Sequence, residues 1–141
     1  MVKIPEIGET ITIEWALELC RHFGFDYLVE RISANPERYK PWKYDGCSCV
    51  LDQLLATWVG PGHTWRDITD ECALPHDLQY AFGDPGNEQE KARADHYFKT
   101  RLIIYAGMRP EAAEAFRKLV EWFGQEKYGL DFSWGFARVD K

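Results

Sequence analysis

Apolar residues recur at helical spacing along most of this chain, and glycine and proline punctuate them. After an extended start, Glu9-Thr10 opens a run in which Ile11, Trp15 and Leu19, then Leu17 and Cys20, fall three or four positions apart as far as Gly24, the pattern of an amphipathic helix. Phe25 to Ile32 is a second short apolar segment of helical character, closed by Asn35-Pro36. The stretch PERYKPWKYD, residues 36–45, mixes prolines with basic and aromatic residues and reads as an irregular surface loop. Val50 to Trp58 predicts a helical turn or more, leading into Gly60-Pro61-Gly62, which cannot continue a helix and forces a tight course. Helical spacing returns at Asp67 and runs to about Phe82, where Gly83-Asp84-Pro85-Gly86 ends it; Pro75 should kink this helix or start a new one. Asn87 caps a long helix reaching about Ala106, with Glu88 and Glu90 in the first turn where the dipole favours them. Pro110 opens the last helix, whose stripe is Ala112, Ala115, Phe116, Leu119, Val120 and Phe123, before Gly124. The tail, YGLDFSWGFARVDK, predicts a short hairpin or a segment wrapped across the core.

The chain is therefore expected to be mainly α. Its 141 residues make one domain, 1–141: an N-terminal helical extension (1–57), a central helical region (58–106), and a C-terminal helix and tail (107–141). A net charge of -6, with no basic stripe, argues against a nucleic-acid binder, because nothing neutralises phosphate. No segment has the apolar length of a transmembrane helix and the start lacks a signal-peptide pattern, so a cytoplasmic location is expected. Delivery by a virus particle or a dedicated secretion system stays compatible with that. Cys20, Cys47, Cys49 and Cys72 are too few and too unevenly spaced for a disulfide scaffold, and Cys47-Ser-Cys49 is not a CxxC zinc pair.

Chemistry concentrates in WVGPGHTWRDITDECALPHDLQY, residues 58–80. On a helix, Ala73, His76, Asp77 and Tyr80 lie along one face, and Asp70 precedes Ala73 by one turn. On the next helix Asp95 shares a face with Phe98 and Leu102, which are expected to point inward. A carboxylate there needs partners, since burying it alone costs several kcal/mol, and His76 and Tyr80 are the natural ones. Asp95 accepting from one ring nitrogen of His76 would leave the other as a general base. Asp77, rotated by about 100° on a helix of 3.6 residues per turn, is better placed as a hard oxygen ligand, and glycine-loop carbonyls complete the mixture calcium prefers.

The order WVGPG, DITDEC, HDLQY resembles the signature of calcium-dependent phospholipases A2, an aromatic-x-Gly-x-Gly loop ahead of D-x-x-D-x-C-C-x-x-H-D-x-C-Y. It falls on Trp58, Gly60, Gly62, Asp67, Asp70, Cys72, His76, Asp77 and Tyr80, and RADHYF, with Asp95, is similar to the second-helix aspartate. The disulfide-poor form is similar to the parvoviral capsid enzymes; Ala73 and Gln79 stand where the secreted enzymes have cysteines. The resemblance implies a core of two antiparallel helices carrying a His/Asp dyad, within residues 58–106. It implies His76 activating water, Asp95 orienting it with help from Tyr80, and calcium held by Asp77 and the carbonyls of Trp58, Gly60 and Gly62 as oxyanion stabiliser. The implied substrate is a phospholipid, or another ester. The HD-x-x-Y and Ala-Asp-x-x-Phe order also resembles small uncharacterised phage-type proteins. Two alternatives therefore stand beside the lipase: a catalytically inactive interaction protein, phage- or mobile-element-encoded, that binds a protein partner, and a different metal-dependent hydrolase.

Overall fold

The computed structural model describes residues 2–6, 8–44 and 54–123. It is mainly helical, as the periodicity requires. The order is β1 (Thr10–Ile11), α1 (Ile13–Phe23), α2 (Asp26–Ala34), a 3-10 turn (Pro36–Arg38), β2 (Trp42–Lys43), α3 (Trp65–Ile68), a π turn (Thr69–Ala73), α4 (Leu74–Ala81), α5 (Glu88–Ala106) and α6 (Pro110–Phe123). A further helical turn covers 54–57.

Two local expectations are corrected. The first helix does not start at Glu9-Thr10: Thr10 and Ile11 pair antiparallel with Lys43 and Trp42. Thr12 then caps α1, its hydroxyl oxygen accepting from the Trp15 N–H at 3.1 Å, which satisfies a donor that a helix start leaves orphaned. For the same reason residues 36–45 are not wholly irregular, since β2 lies within them. The expected hairpin or wrapped tail and the start of the 50–58 turn, residues 50–53, lie outside the described residues.

Pro75 stands in the first turn of α4, as expected of a proline that opens a helix, although α4 follows the π turn without a break. Trp65 to Ala81 is one continuous helical path with a widened turn in it, the Leu74 N–H reaching back five residues to the Thr69 carbonyl. Proline has no N–H for the carbonyl four residues earlier, and its ring crowds that carbonyl in a regular helix. The widened turn relieves the crowding. The carbonyl left over belongs to Glu71, and Arg101 of α5 takes it: its Nε–H donates to the Glu71 carbonyl, and Nη2 donates to Glu71 Oε2 at 2.7 Å.

Two hydrophobic clusters result. One gathers Ile68, Cys72, Ala73 and Tyr80 with Phe98 and Leu102 of α5 and Ala113, Phe116 and Val120 of α6. The other gathers Leu74, Leu78 and Ala81 of α4 with Ile11, Leu19 and Leu28 from β1, α1 and α2. Leu19, Leu28, Leu74 and Leu78 are fully buried, each worth about 1.5–3 kcal/mol of transfer from water. α4 therefore stands between the clusters, and all its residues, Leu74 to Ala81, are buried. Arg31 ties α2 across to α5 by a bidentate pair with Glu90 at 2.8 Å for each bond, and also donates to the Phe82 carbonyl.

Candidate functional site

α4 and α5 run in opposite directions: His76 meets Asp95, while Glu71, a turn and a half earlier on the first path, meets Arg101, further along the second. Antiparallel packing thus brings the sequence-predicted face residues together. His76 Nε2 lies 2.9 Å from Asp95 Oδ1. The Tyr80 hydroxyl donates to that same oxygen. An ionised carboxylate only accepts, so Nε2 carries a proton whether the ring is charged or neutral; in the neutral imidazole the lone pair is then on Nδ1. The imidazole is clamped between aromatic rings, with centroids 4.2 Å from Tyr80 and 4.8 Å from Phe98.

Lys91 is a member of this network that the face argument missed. Its ammonium donates to Asp95 Oδ2 at 3.0 Å and to the Glu121 carbonyl of α6 at 2.9 Å. The signal was in the sequence, since Lys91 precedes Asp95 by four positions, the spacing of a helical ion pair. Asp95 is 0% exposed and His76 3%. Burial pushes the Asp95 carboxyl up, but the hydrogen bond and charge of His76, the Tyr80 hydroxyl and the Lys91 ammonium outweigh it, and the group stays ionised below the usual carboxylate range. Burial first, then the adjacent Asp95 charge, hold the Tyr80 phenol well above its ordinary value. Tyr80 is thus a fixed donor.

The donors assigned to calcium are placed differently. The Gly60 N–H donates to the Ala106 carbonyl at 2.8 Å, and the Gly60 carbonyl accepts from His63 at 3.1 Å. A side chain on Gly60 would come within 2.1 Å of the Gly107 carbonyl oxygen, so this loop is seated against the C-terminal end of α5. From there to Asp77 the path is most of the helix starting at Trp65, roughly 17 Å at 1.5 Å per residue. Trp58 is 52% exposed and lines a groove against α6 with Leu54, Phe116 and Leu119. Asp77 is buried on α4. Trp58, Gly60 and Gly62 therefore do not converge with Asp77, and the set does not fit a calcium ion in this arrangement. Among the described residues no group of three or more His, Cys, Asp or Glu side chains is placed to hold a metal. The physical reason is the helix start. The Asp67 carboxylate accepts from the Thr64 N–H at 2.8 Å, which fixes the helix N-terminus beside the glycine loop and puts the His76–Asp77 pair at its distant end.

No family model, no curated protein and no solved structure matches the chain. No described helix is long and apolar enough to cross a membrane.

Proposed function

We propose that the chain is a phospholipase A2-like hydrolase of acyl esters, with His76 as general base, Asp95 as the group that orients it and Tyr80 as a second donor holding Asp95. The observation that carries this reading is the His76 Nε2 to Asp95 Oδ1 hydrogen bond of 2.9 Å on two antiparallel helices. It leaves Nδ1 basic. In the reaction Nδ1 takes a proton from water as the oxygen adds to the ester carbonyl carbon. The tetrahedral intermediate then expels the alkoxide, which takes that proton from the imidazolium, giving acid and alcohol. No step is assigned to calcium, because its proposed donors lie apart.

A second reading rests on a different observation: His76 is 3% exposed, and Lys91 already neutralises Asp95. Those features favour a catalytically silent helical frame that binds a protein partner. Release of fatty acid from phosphatidylglycerol and phosphatidylcholine mixed micelles, with calcium or with chelator, separates the two. The lipase reading expects turnover that His76→Ala lowers by roughly a hundredfold or more, the usual share of a general base. Turnover unchanged in that variant, or absent in both buffers, sinks it.

A further inference from the structure

A cavity of about 440 Å³ opens between α2, α4 and α5, and none of the side chains of the His76 network lines it. It is within the size range of small-molecule sites. Gln79 of α4 lines it, and so do Tyr27 and Arg31 of α2 and Glu90, Arg93 and Tyr97 of α5. Gln79 is only 5% exposed, and its Oε1 has no hydrogen-bond partner. The other end of the amide has one long contact, Nε2 to the Tyr27 hydroxyl at 3.5 Å. If the amide is turned over, its NH₂ takes the unpartnered place instead, so one polar end is orphaned in either orientation. A buried amide end without a partner keeps the desolvation penalty of burial uncompensated. A ligand offering both a donor and an acceptor removes that penalty in either orientation.

The charges around the cavity narrow the class. Arg31 and Glu90 neutralise each other in their bidentate pair, whereas Arg93 is exposed and makes no ion pair or hydrogen bond among the described residues. The lining therefore carries one uncompensated positive charge on a protein whose net charge is -6. Tyr27 and Tyr97 supply aromatic rings, both packed on Phe25, with centroids 6.2 and 5.3 Å from it. From Glu90 to Tyr97 the α5 wall is about 10 Å long at 1.5 Å per residue.

We propose that this cavity binds a nucleoside monophosphate. The base edge meets the Gln79 amide, the pairing by which Gln reads adenine; the base lies against the tyrosine rings, and the phosphate sits at Arg93. The proposal stands apart from the hydrolase reading, since none of these residues belongs to the His76 network.

Isothermal titration calorimetry on the full chain tests it, with AMP, GMP, CMP and UMP, their nucleosides, and inorganic phosphate as probes. The expected result is that at least one nucleoside monophosphate binds tenfold or more tightly than both its nucleoside and inorganic phosphate. Arg93→Glu and Gln79→Leu should each weaken it at least tenfold, and Lys118→Glu, with the same charge change on α6, should leave it unchanged. Arg93 is exposed, so its variant reads binding even if Gln79→Leu fails to fold. No heat from any nucleotide, phosphate binding as tightly as the nucleotides, or equal weakening by Lys118→Glu would overturn the proposal.

Discussion

Replacing Asp95 by Asn keeps the shape of the side chain and removes its charge from the centre of the buried network. Three donors lose their anionic acceptor: His76 at 2.9 Å, Lys91 at 3.0 Å and the Tyr80 hydroxyl. Removing one partner of a buried ion pair costs about 3–5 kcal/mol. Lys91 keeps the Glu121 carbonyl at 2.9 Å, so Asp95→Asn belongs at the low end, about 3 kcal/mol. That is a large part of the about 5–15 kcal/mol by which a domain is stable. The penalty should come mainly from the stranded ammonium, so adding Lys91→Met should recover about 2 kcal/mol. Urea unfolding at neutral pH, followed by tryptophan fluorescence, measures each variant. The pH dependence gives an independent check. The folded Asp95 has a lowered pKa, so on acidification the unfolded chain takes up its proton first. The stability Asp95 contributes is whole above the ordinary carboxylate pKa of about 3.9 and disappears as pH falls through the lower folded value. The gap between wild type and Asp95→Asn should therefore close in acid. A loss under about 1 kcal/mol at neutral pH, well short of the cost of stranding a buried charge, or no recovery with Lys91→Met, would refute the reasoning.

Arg101→Met leaves the Glu71 carbonyl without its donor and should cost about 1.5–3 kcal/mol, with faster amide hydrogen exchange over residues 69–74. Pro75→Ala supplies an N–H to the same turn, and in that background the Arg101 substitution should cost about 1 kcal/mol less in a double-mutant cycle. Gly60→Ala drives a methyl into the Gly107 backbone and should destabilise by about 2 kcal/mol or more. Gly62→Ala meets open space and only the strain of its left-handed φ of 81°, roughly 1–2 kcal/mol; thermal melts compare the two. Burial pushes the Cys20 and Cys72 thiols up to about 12. At pH 8 both should resist iodoacetamide while folded and react in urea, as read by peptide mass spectrometry; labelling of the folded protein at the rate of free cysteine would contradict their burial.

Much of the helical frame follows from local signals. Asn87 accepts from the Glu90 N–H at 3.0 Å as an N-cap should, and Gly107 ends α5 in the left-handed conformation. The meeting of Asp95 with His76 and Tyr80 follows from spacing and the cost of a lone buried carboxylate. What the spacing did not disclose depends on distant parts of the chain. β1 and β2 are two residues each and exist only because residues 10–11 and 42–43 meet. The π turn is stable because Arg101, far along the chain, faces the carbonyl that Pro75 abandons. The glycine loop has the composition of a cation-binding loop, and nothing local to it reveals that its backbone is taken by Ala106 and Gly107.

α4 has no outward face, being buried from Leu74 to Ala81 between the two clusters. During sequence drift, packing resists substitution there whatever happens at the imidazole. His76 and Tyr80 are held by Asp95 and the aromatic stack, and Leu74 and Leu78 by the other cluster. A substitution in the HD-x-x-Y segment therefore carries a packing cost of its own, separate from anything the imidazole does.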